Sequence, residues 1–163
     1  MEQSAPIQIL RFSLAEQHYA FDVLKTREVL SLVKITPLPS SLDFLSGVIN
    51  LRGSVIPVVD LRLKFGMPAT ESTVDTSIII LEAKSAGETT VIGSVVDMVK
   101  GVSNCDPAEL EPPPRFGMPL NSALIQSIAK KDSEFVIVLD SDKVFSESEL
   151  WNIQTQVGAG AAD

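Results

Sequence analysis

The sequence predicts a mainly β fold in which short strands close into two small barrels. Short apolar runs separated by turn signals recur from residue 7 to residue 145, a spacing typical of sandwiches and barrels. A shift of 80 positions also brings one apolar hairpin, residues 48–60, onto another, residues 128–140. Each unit is too short to bury a core alone, so we expect two similar units that pack face to face and form a groove between them.

The first predicted elements are two strands joined by a tight turn. Residues 7–14 alternate in the manner of a strand, and residues 18–21 form a second strand after a turn at 15–17. Residues 22–30 have apolar side chains near helical spacing behind Asp22, so we expect a short helix or a strand that turns into one. Two prolines then force an extended loop.

The central hairpin lies within residues 47–66. Apolar runs at 48–51 and 55–59 flank the polar triplet 52–54, which we therefore place at the exposed tip. The second run shows no polar alternation, so both of its faces should be covered. Pro57 places this run at a sheet edge or a bulge, because proline has no N–H to donate.

The chain then passes through a capped turn into the second half. Asp60 should cap one helical turn over 61–65 that ends at Gly66, and the aperiodic residues 67–76 link the two halves. The elements predicted beyond this link are strands at 77–82 and 90–99 (broken at Gly93), an extended connector at 106–114, a hairpin of 124–130 and 135–139 with its tip at 131–133, and a helix with capping-box spacing at 146–149.

These elements define one predicted domain over residues 1–156. We expect barrel halves at roughly 7–66 and 77–146, followed by a C-terminal helix at 147–156. The last residues, 157–163, should form a flexible tail.

Composition argues against several classes of function. The formal net charge is −8, whereas surfaces that bind nucleic acid or anionic lipid need clustered Lys and Arg. The longest apolar runs fall far short of the roughly 20 residues that span a bilayer, and the amino terminus lacks the basic start of a secretory signal. Cys105 is the single cysteine, so no intrachain disulfide can form and a reducing cytoplasm is the simplest location.

Candidate catalytic or metal-binding residues are few. Four aspartates end predicted strands: Asp22, Asp60, Asp97 and Asp140. They leave open a small carboxylate-dependent or metal-binding enzyme, although a cap or turn carboxylate is the ordinary explanation. His18 and Cys105 are alone of their kind and cannot assemble a zinc site or a nucleophile pair. Trp151 is interpreted as a packing anchor of the last helix.

One stretch resembles the signature of the CheW-like family of bacterial chemotaxis coupling proteins. It reads GVINLRGSVIPVVDLR over residues 47–62 and ends with Phe and Gly at 65–66. Like residues stand at further positions of the family, namely 19–22, 27–29, 35–39, 93–97 and 135–145. The resemblance covers roughly residues 7–150, which is almost the whole chain.

The resemblance implies two five-stranded SH3-like barrels packed about a pseudo-two-fold axis, with no enzymatic activity, cofactor or metal. It implies a scaffold that couples the cytoplasmic tips of chemoreceptors to the regulatory domain of the histidine kinase CheA, the receptor's helical hairpin lying in the groove between the barrels. Such a protein would be cytoplasmic, recruited to receptor arrays at the inner face of the membrane, and monomeric when free. Adaptors of twitching or developmental chemosensory pathways are the alternative within the family.

The resemblance also implies which residues contact partners. These residues are Thr26, Glu28, Val29, Gly47, Arg52, Gly53 and, more loosely, Val99. The family more often has an apolar residue where Thr26 stands. The tip of the second hairpin, residues 131–133, does not repeat the Arg-Gly pair.

Arg52 is suited to binding on physical grounds as well. An arginine beside a glycine at a turn is held clear of the core, and its planar fork can meet a carboxylate through two parallel hydrogen bonds. Glu28 is the predicted partner within the chain, which would create a rigid charged rim beside an apolar groove. The alternative is that Arg52 is a solvated turn residue and that Gly53 only supplies a positive φ.

Overall fold

The computed structural model describes residues 6–113, 122–131 and 133–161. Its strands are β1 (Ile7–Leu14), β2 (Gln17–Asp22), β3 (Thr26–Ser31), β4 (Leu45–Leu51), β5 (Ser54–Asp60), β6 (Ser77–Ser85), β7 (Glu88–Val96), β8 (Met98–Cys105), β9 (Leu110–Glu111), β10 (Ile125–Lys131) and β11 (Glu134–Leu139). Its helices are α1 (Leu61–Lys64) and α2 (Glu147–Ala161), with 3₁₀ turns at Val23–Lys25, Pro107–Glu109 and Ser122–Leu124. The predicted mainly β fold with short helices and a C-terminal helix is confirmed.

Within the described ranges the strands form two sheets. The six-stranded sheet has the order β8-β1-β2-β11-β10-β9, and the five-stranded sheet has the order β3-β6-β7-β5-β4. Each sheet combines strands from both predicted halves, so the barrels do not divide at 7–66 and 77–146. The reason is that the hairpins β1–β2 and β6–β7 each join the sheet of the other half. β2 pairs in parallel with β11, and β7 pairs in parallel with β5.

The hairpins β4–β5 and β10–β11 share one backbone design. After the shift of 80 positions their strands agree to within one residue at each end. The register also slips at the same point, between Leu45 and Gly47 in one hairpin and between Ile125 and Ser127 in the other. The predicted internal match between these hairpins is confirmed.

A second predicted match, between β2 and β7, is wrong by two residues. It placed residues 19–22 over residues 75 positions further along. Val58 and Val138 match under the shift of 80, and their partners in the neighbouring strands are Gly93 and Ala20. Matching residues of β2 and β7 are therefore 73 positions apart. The prediction aligned Asp22 with Asp97, but Asp22 ends β2 whereas Asp97 lies one residue beyond the end of β7.

Three apolar clusters hold the sheets together. One belongs to the six-stranded sheet and contains Ile9, Ala20, Cys105, Ala129, Val136 and Val138. One belongs to the five-stranded sheet and contains Ile49, Ile56, Val58, Ile78, Ile80 and Val95. The largest, which we call the shared core, takes side chains from both sheets, including the stacked rings of Phe12 and Phe21 and, from the other sheet, Val59 and Ile79. The centre of the predicted groove between the barrels is therefore filled.

Residues 22–30 form a turn and a strand instead of a helix. Asp22 caps the 3₁₀ turn by accepting a hydrogen bond from the Leu24 amide at 2.9 Å. The chain then enters β3, which pairs with β6 along its whole length. Pairing with a neighbouring strand outweighs the weak helical spacing of this segment.

Pro57 lies in an interior strand, so its predicted place at a sheet edge or bulge is wrong. Its partner Val48 exchanges both backbone hydrogen bonds with Thr36, at 2.8 and 2.9 Å. Pro57 therefore occupies a pair without hydrogen bonds, where its missing N–H costs nothing. On the other side, pairing of β5 with β7 begins only at Val58.

The strand predicted at 90–99 is two strands, β7 and β8. β7 runs through Gly93 without a break, because a Cβ there would lie 2.9 Å from the Ile78 side chain and glycine removes that contact. β8 was not predicted, since this sheet-edge strand carries few buried apolar side chains. The connector at 106–114 contains a 3₁₀ turn and β9, and its last residue lies outside the described residues.

The last helix begins as predicted. The Ser146 amide donates to the Glu149 carboxylate at 2.8 Å and the Glu149 amide donates to Ser146 Oγ at 3.1 Å, which is a capping box. The helix continues five residues beyond its predicted end at 156. Leu150 and Ile153 are buried, whereas Trp151 is 67% exposed, so its interpretation as a packing anchor is wrong.

Candidate partner-binding surface

The tip of the β4–β5 hairpin is a two-residue turn at Arg52 and Gly53. Both residues have positive φ, 52° and 87°, which is the backbone of a type I′ turn. The Asn50 side chain accepts a hydrogen bond from the Gly53 amide at 2.9 Å and braces the turn. The Arg52 side chain, which is 72% exposed, is therefore attached to a braced turn.

Glu28 is the partner of Arg52, as predicted. The two terminal guanidinium nitrogens donate to the two carboxylate oxygens at 2.7 and 2.9 Å, which is the bidentate arrangement. The hydrogen bonds from Arg52 hold the pKa of the Glu28 carboxyl below its usual range. The pair is therefore charged on both sides at neutral pH.

The ion pair spans the seam of the five-stranded sheet. Glu28 belongs to β3 and Arg52 directly follows β4, and these strands are the two edges of the sheet. Below the pair, Thr36 and Val48 form a backbone bridge between the segment after β3 and β4. The sheet is thus drawn toward a closed barrel, and the charged rim lies where its edges meet.

Gly47 is buried, so it does not present itself to a partner. A Cβ at this position would lie 2.1 Å from the carbonyl oxygen of Thr36 and 2.9 Å from Cα of Pro37. Glycine is required because β4 passes against this segment at the seam, with φ of 151°. Its contribution to a partner surface is to hold the seam in place.

The remaining predicted residues lie on β3 and β8. The Thr26 hydroxyl donates to the Val23 carbonyl at 2.9 Å, which ties the start of β3 to the preceding turn. Val29 is 41% exposed, next to Glu28 in the strand. Val99 is half-buried against the shared core in the other sheet, so the structure does not bring it to the Arg52 tip.

Val99 is the counterpart of Thr26 in the internal repeat. β3 and β8 each contain one extra residue in their pairing, Arg27 against β6 and Lys100 against β1, and these bulges are 73 positions apart. The same spacing relates Glu28 to Gly101. The two predicted groups of residues therefore occupy equivalent places in the two sheets, but Gly101, which has no side chain to form an ion pair, stands in the place of Glu28.

Among the exposed apolar side chains that sequence reasoning missed, three lie at places related by the internal repeat. Val55 is 46% exposed, Val102 is 57% exposed and Phe135 is 63% exposed. Val55 and Phe135 match under the shift of 80, and Val102 matches Val29 under the spacing of 73. Strand alternation places them on the faces that carry the shared core, at its margin. The correspondence between Val55 and Phe135 could be predicted from the sequence, but the solvent exposure of these side chains could not.

The predicted strand-end aspartates have structural partners. Asp60 and Asp140 each accept a hydrogen bond from the amide two residues further on, at 3.0 Å, in the way that Asp22 does. Asp97 accepts hydrogen bonds from Arg62 at 2.8 and 2.9 Å. Over the described residues, no group of three or more His, Cys, Asp or Glu side chains could hold a metal ion. No helix of these residues is long and apolar enough to cross a membrane.

Comparison with known proteins identifies the family. The CheW-like domain profile matches residues 8–149. The chain belongs to the CheW-like family. It is 35% identical over 143 residues to the chemotaxis protein CheW of Thermotoga maritima, a match that covers 86% of this chain and 88% of that protein. It is 30% identical over 143 residues to the chemotaxis protein CheW of Klebsiella aerogenes, covering 88% and 84%.

A solved CheW structure agrees with the fold. The crystal structure of the scaffolding protein TtCheW from Thermoanaerobacter tengcongensis superposes with a TM-score of 0.77 at 36% identity, covering 89% of this chain and 91% of that one. CheW-like proteins are non-catalytic scaffolds that couple chemoreceptors to the kinase CheA in chemotaxis, and this chain is one of them. The predicted scaffold function is confirmed, and the carboxylate-dependent enzyme is discarded.

Proposed function

We propose that this CheW-type scaffold meets its partners through the seam of the five-stranded sheet. The surface consists of the Arg52–Gly53 turn, Glu28 and Val29, with Thr26 and Gly47 holding its backbone in place. The partners are the regulatory domain of a CheA-type kinase and the cytoplasmic helical tip of a chemoreceptor. Val99 extends the contact on the other sheet. The protein acts in the cytoplasm, at receptor arrays on the inner face of the membrane, and is monomeric when free.

The observation that supports this proposal most is the exposed, bidentate arginine. Holding a long side chain in one orientation before binding reduces the entropy lost when a partner docks. Arg52 uses two of its five N–H donors on Glu28, and the others are available to a carboxylate of the partner because most of the side chain is exposed. The tip is therefore both preorganised and accessible.

Apolar contact comes from the margin of the shared core. Val29 and Val55 are both more than 40% exposed and flank the charged rim in sequence. Since the shared core fills the space between the sheets, a receptor helix docks along this margin and does not penetrate between the barrels. Arginine beside exposed aliphatic side chains matches the residue types that dominate interface energetics.

Arg52→Asp tests the proposal directly. The variant places two carboxylates at the seam, and we expect at least roughly tenfold weaker co-sedimentation with receptor-containing membranes and CheA-type kinase. Its melting curve should match that of the parent chain, because the pair is exposed. The matched control is Lys130→Asp, which makes the same charge change in the second hairpin at a residue that is 51% exposed. Equal loss in both variants would contradict the proposal.

A charge swap separates recognition from architecture. The double variant Glu28→Arg, Arg52→Glu restores an ion pair across the seam with its polarity reversed. If Arg52 itself contacts the partner, the double variant stays defective. Full recovery of binding would show that the pair only shapes the seam, and the proposed contact would be wrong.

A further inference from the structure

A small cavity lies between the turn of the β6–β7 hairpin and helix α2, at the end of the five-stranded sheet where the Arg52 turn also lies. Its volume is about 110 Å³, and its lining includes Ser85, Glu88, Thr90, Glu147, Trp151 and Gln154. Ligand pockets for drug-sized molecules are several times larger, so this cavity suits a single side-chain head group. We propose that it receives an arginine side chain of a partner protein, held between the indole and the two carboxylates.

The cavity is built into the fold. Glu147, Trp151 and Gln154 follow the spacing of one helix face, and the buried side chains of Leu150 and Ile153 fix the orientation of that helix. The Gln154 amide donates to the Thr90 hydroxyl, which ties the helix to β7. The walls are therefore in place before anything binds.

Trp151 is the observation that calls for an explanation. Tryptophan is the largest apolar side chain, and 67% of this one is exposed at the mouth of a cavity. Packing does not account for it, since Leu150 and Ile153 already anchor the helix. An exposed indole beside carboxylates is the arrangement that attracts cations, because the ring face carries negative charge density.

Among the described residues, the cavity is lined by two carboxylates and by no basic side chain. Glu88 and Glu147 both line the cavity, and neither is in an ion pair with a described residue. Glu149, on the adjoining part of the helix, differs because it lies 3.4 Å from Lys64 Nζ. Glu147 accepts only a long hydrogen bond, 3.4 Å, from Ser85 Oγ.

Arginine fits this site better than lysine does. Its flat guanidinium can lie against an aromatic ring while it shares hydrogen bonds with carboxylates at its edge, whereas an ammonium is a strongly hydrated point charge. The polar lining of Ser85 and Thr90 can accept further N–H donors. The partner is therefore a protein that presents an exposed arginine to the β6–β7 turn, at the same end of the five-stranded sheet as the β4–β5 turn.

Trp151 also provides the readout, because it is the single tryptophan of the chain. The full chain is titrated with Nα-acetyl-arginine amide while tryptophan emission is followed, and Nα-acetyl-citrulline amide serves as the uncharged isostere. We expect a saturable change in emission with the arginine probe, and roughly tenfold weaker response to citrulline. Added salt should weaken the arginine response.

Two variants locate the site. Glu88→Gln, which lies outside the helix, and Glu147→Gln should each weaken the arginine probe several-fold, and the double variant by roughly tenfold or more. Glu71→Gln, which removes the same charge outside the cavity, should leave the response unchanged. Far-UV circular dichroism checks that helix α2 is intact. Equal responses to arginine and citrulline, or full binding by Glu88→Gln with an intact helix, would overturn the proposal.

Discussion

The two matched hairpins close their sheets in different ways. In the five-stranded sheet, one isolated backbone bridge joins β4 to the segment after β3, and the Arg52–Glu28 pair joins the tip to β3 itself. In the six-stranded sheet, β9 follows β8 through a 3₁₀ turn and pairs with β10, and Lys131 lies 3.2 Å from Glu109. Backbone pairing closes both seams. Both seams also carry an ion pair, but the Arg52 side chain is 72% exposed whereas that of Lys131 is 21% exposed, so the pair at the first tip is the one suited to recognition.

The contacts that join the two sheets differ in polarity. Arg62 after β5 binds Asp97 before β8, at 2.8 Å, whereas Asp142 after β11 binds Lys25 before β3, at 2.9 Å. Arg62 and Asp142 match under the shift of 80, so the acid and the base have exchanged places. Each aspartate also accepts a backbone N–H from a crossing hairpin, at 2.8 and 2.7 Å. The two halves are alike in backbone but are not interchangeable.

Of the paired substitutions in the two halves, the one at Gly47 should have the largest effect on the free energy of unfolding. Gly47→Ala would place a Cβ 2.1 Å from the Thr36 carbonyl oxygen, and the atoms it meets belong to backbone that cannot turn away. We expect a loss of about 3 kcal/mol in the free energy of unfolding, from overpacking and from φ strain together. Urea unfolding followed by circular dichroism measures it.

Ser127→Ala is the matched control, because Ser127 occupies the place of Gly47 in the second hairpin. Its hydroxyl is buried and has no hydrogen-bond partner among the described residues, so its removal should change stability by no more than about 0.5 kcal/mol. Similar losses in the two variants would mean that the close approach at Thr36 does not distinguish the seams.

The features that could be predicted from the sequence are turns and caps, which depend on residues close together along the chain. The β4–β5 turn, the Asp60 cap and the capping box at Ser146 follow from residue types a few positions apart. Glu28 was identified as the partner of Arg52 on physical grounds, as a carboxylate that the guanidinium fork could meet, and the structure confirms it.

The rest depends on long-range packing, which leaves little local signal. The residues of β1 and β2 do not indicate that β2 pairs with β11, since this parallel pairing joins segments that are more than one hundred residues apart. β8 was missed because an edge strand with a bulge at Lys100 breaks strict alternation. The exposure of Trp151 depends on which face of α2 docks, and that is decided by Leu150 and Ile153.

The two ion pairs between the sheets, Arg62–Asp97 and Lys25–Asp142, should differ by a smaller amount in their contribution to the free energy of unfolding. Asp97→Asn should cost about 2 kcal/mol and Asp142→Asn about 1 kcal/mol in urea unfolding at neutral pH. The reason is that Arg62 donates from two nitrogens of its fork and is 20% exposed, whereas Lys25 donates one hydrogen bond and is 30% exposed. A larger loss for Asp142→Asn would reverse this ranking.

The Asp142 contact should also depend on pH. Burial alone would raise the pKa of the Asp142 carboxyl, but the hydrogen bonds from Lys25 and from the Lys84 amide outweigh it and hold that pKa below its usual range. The stabilisation is therefore fully present above the pKa of an unfolded aspartate, about 3.9, and is lost as the pH falls through the lower folded value. The stability gap between the parent chain and Asp142→Asn should close over that interval, and a gap that persists at lower pH would contradict the ion pair.

The smallest effect on stability is expected at the Arg52–Glu28 pair. Because both side chains lie at the surface and the backbone bridge already closes the seam, Arg52→Gln should leave the urea midpoint within error of the parent, as should Lys130→Gln in the second hairpin. The effect should appear in titration instead. Arg52→Gln should raise the pKa of the Glu28 carboxyl toward its ordinary value, as carbon-detected NMR can follow, because the guanidinium hydrogen bonds that lower it are gone.

The sign of this shift also limits where the pair can matter for folding. Its contribution is present above the pKa of an unfolded glutamate, about 4.3, and is lost as the pH falls through the lower folded value. Parent and Arg52→Gln should therefore have the same acid-unfolding midpoint to within a few tenths of a pH unit. A clear loss of acid stability in Arg52→Gln, but not in Lys130→Gln, would mean that the ion pair and not the backbone bridge closes the first seam, and the contrast between the two hairpins would have to be redrawn.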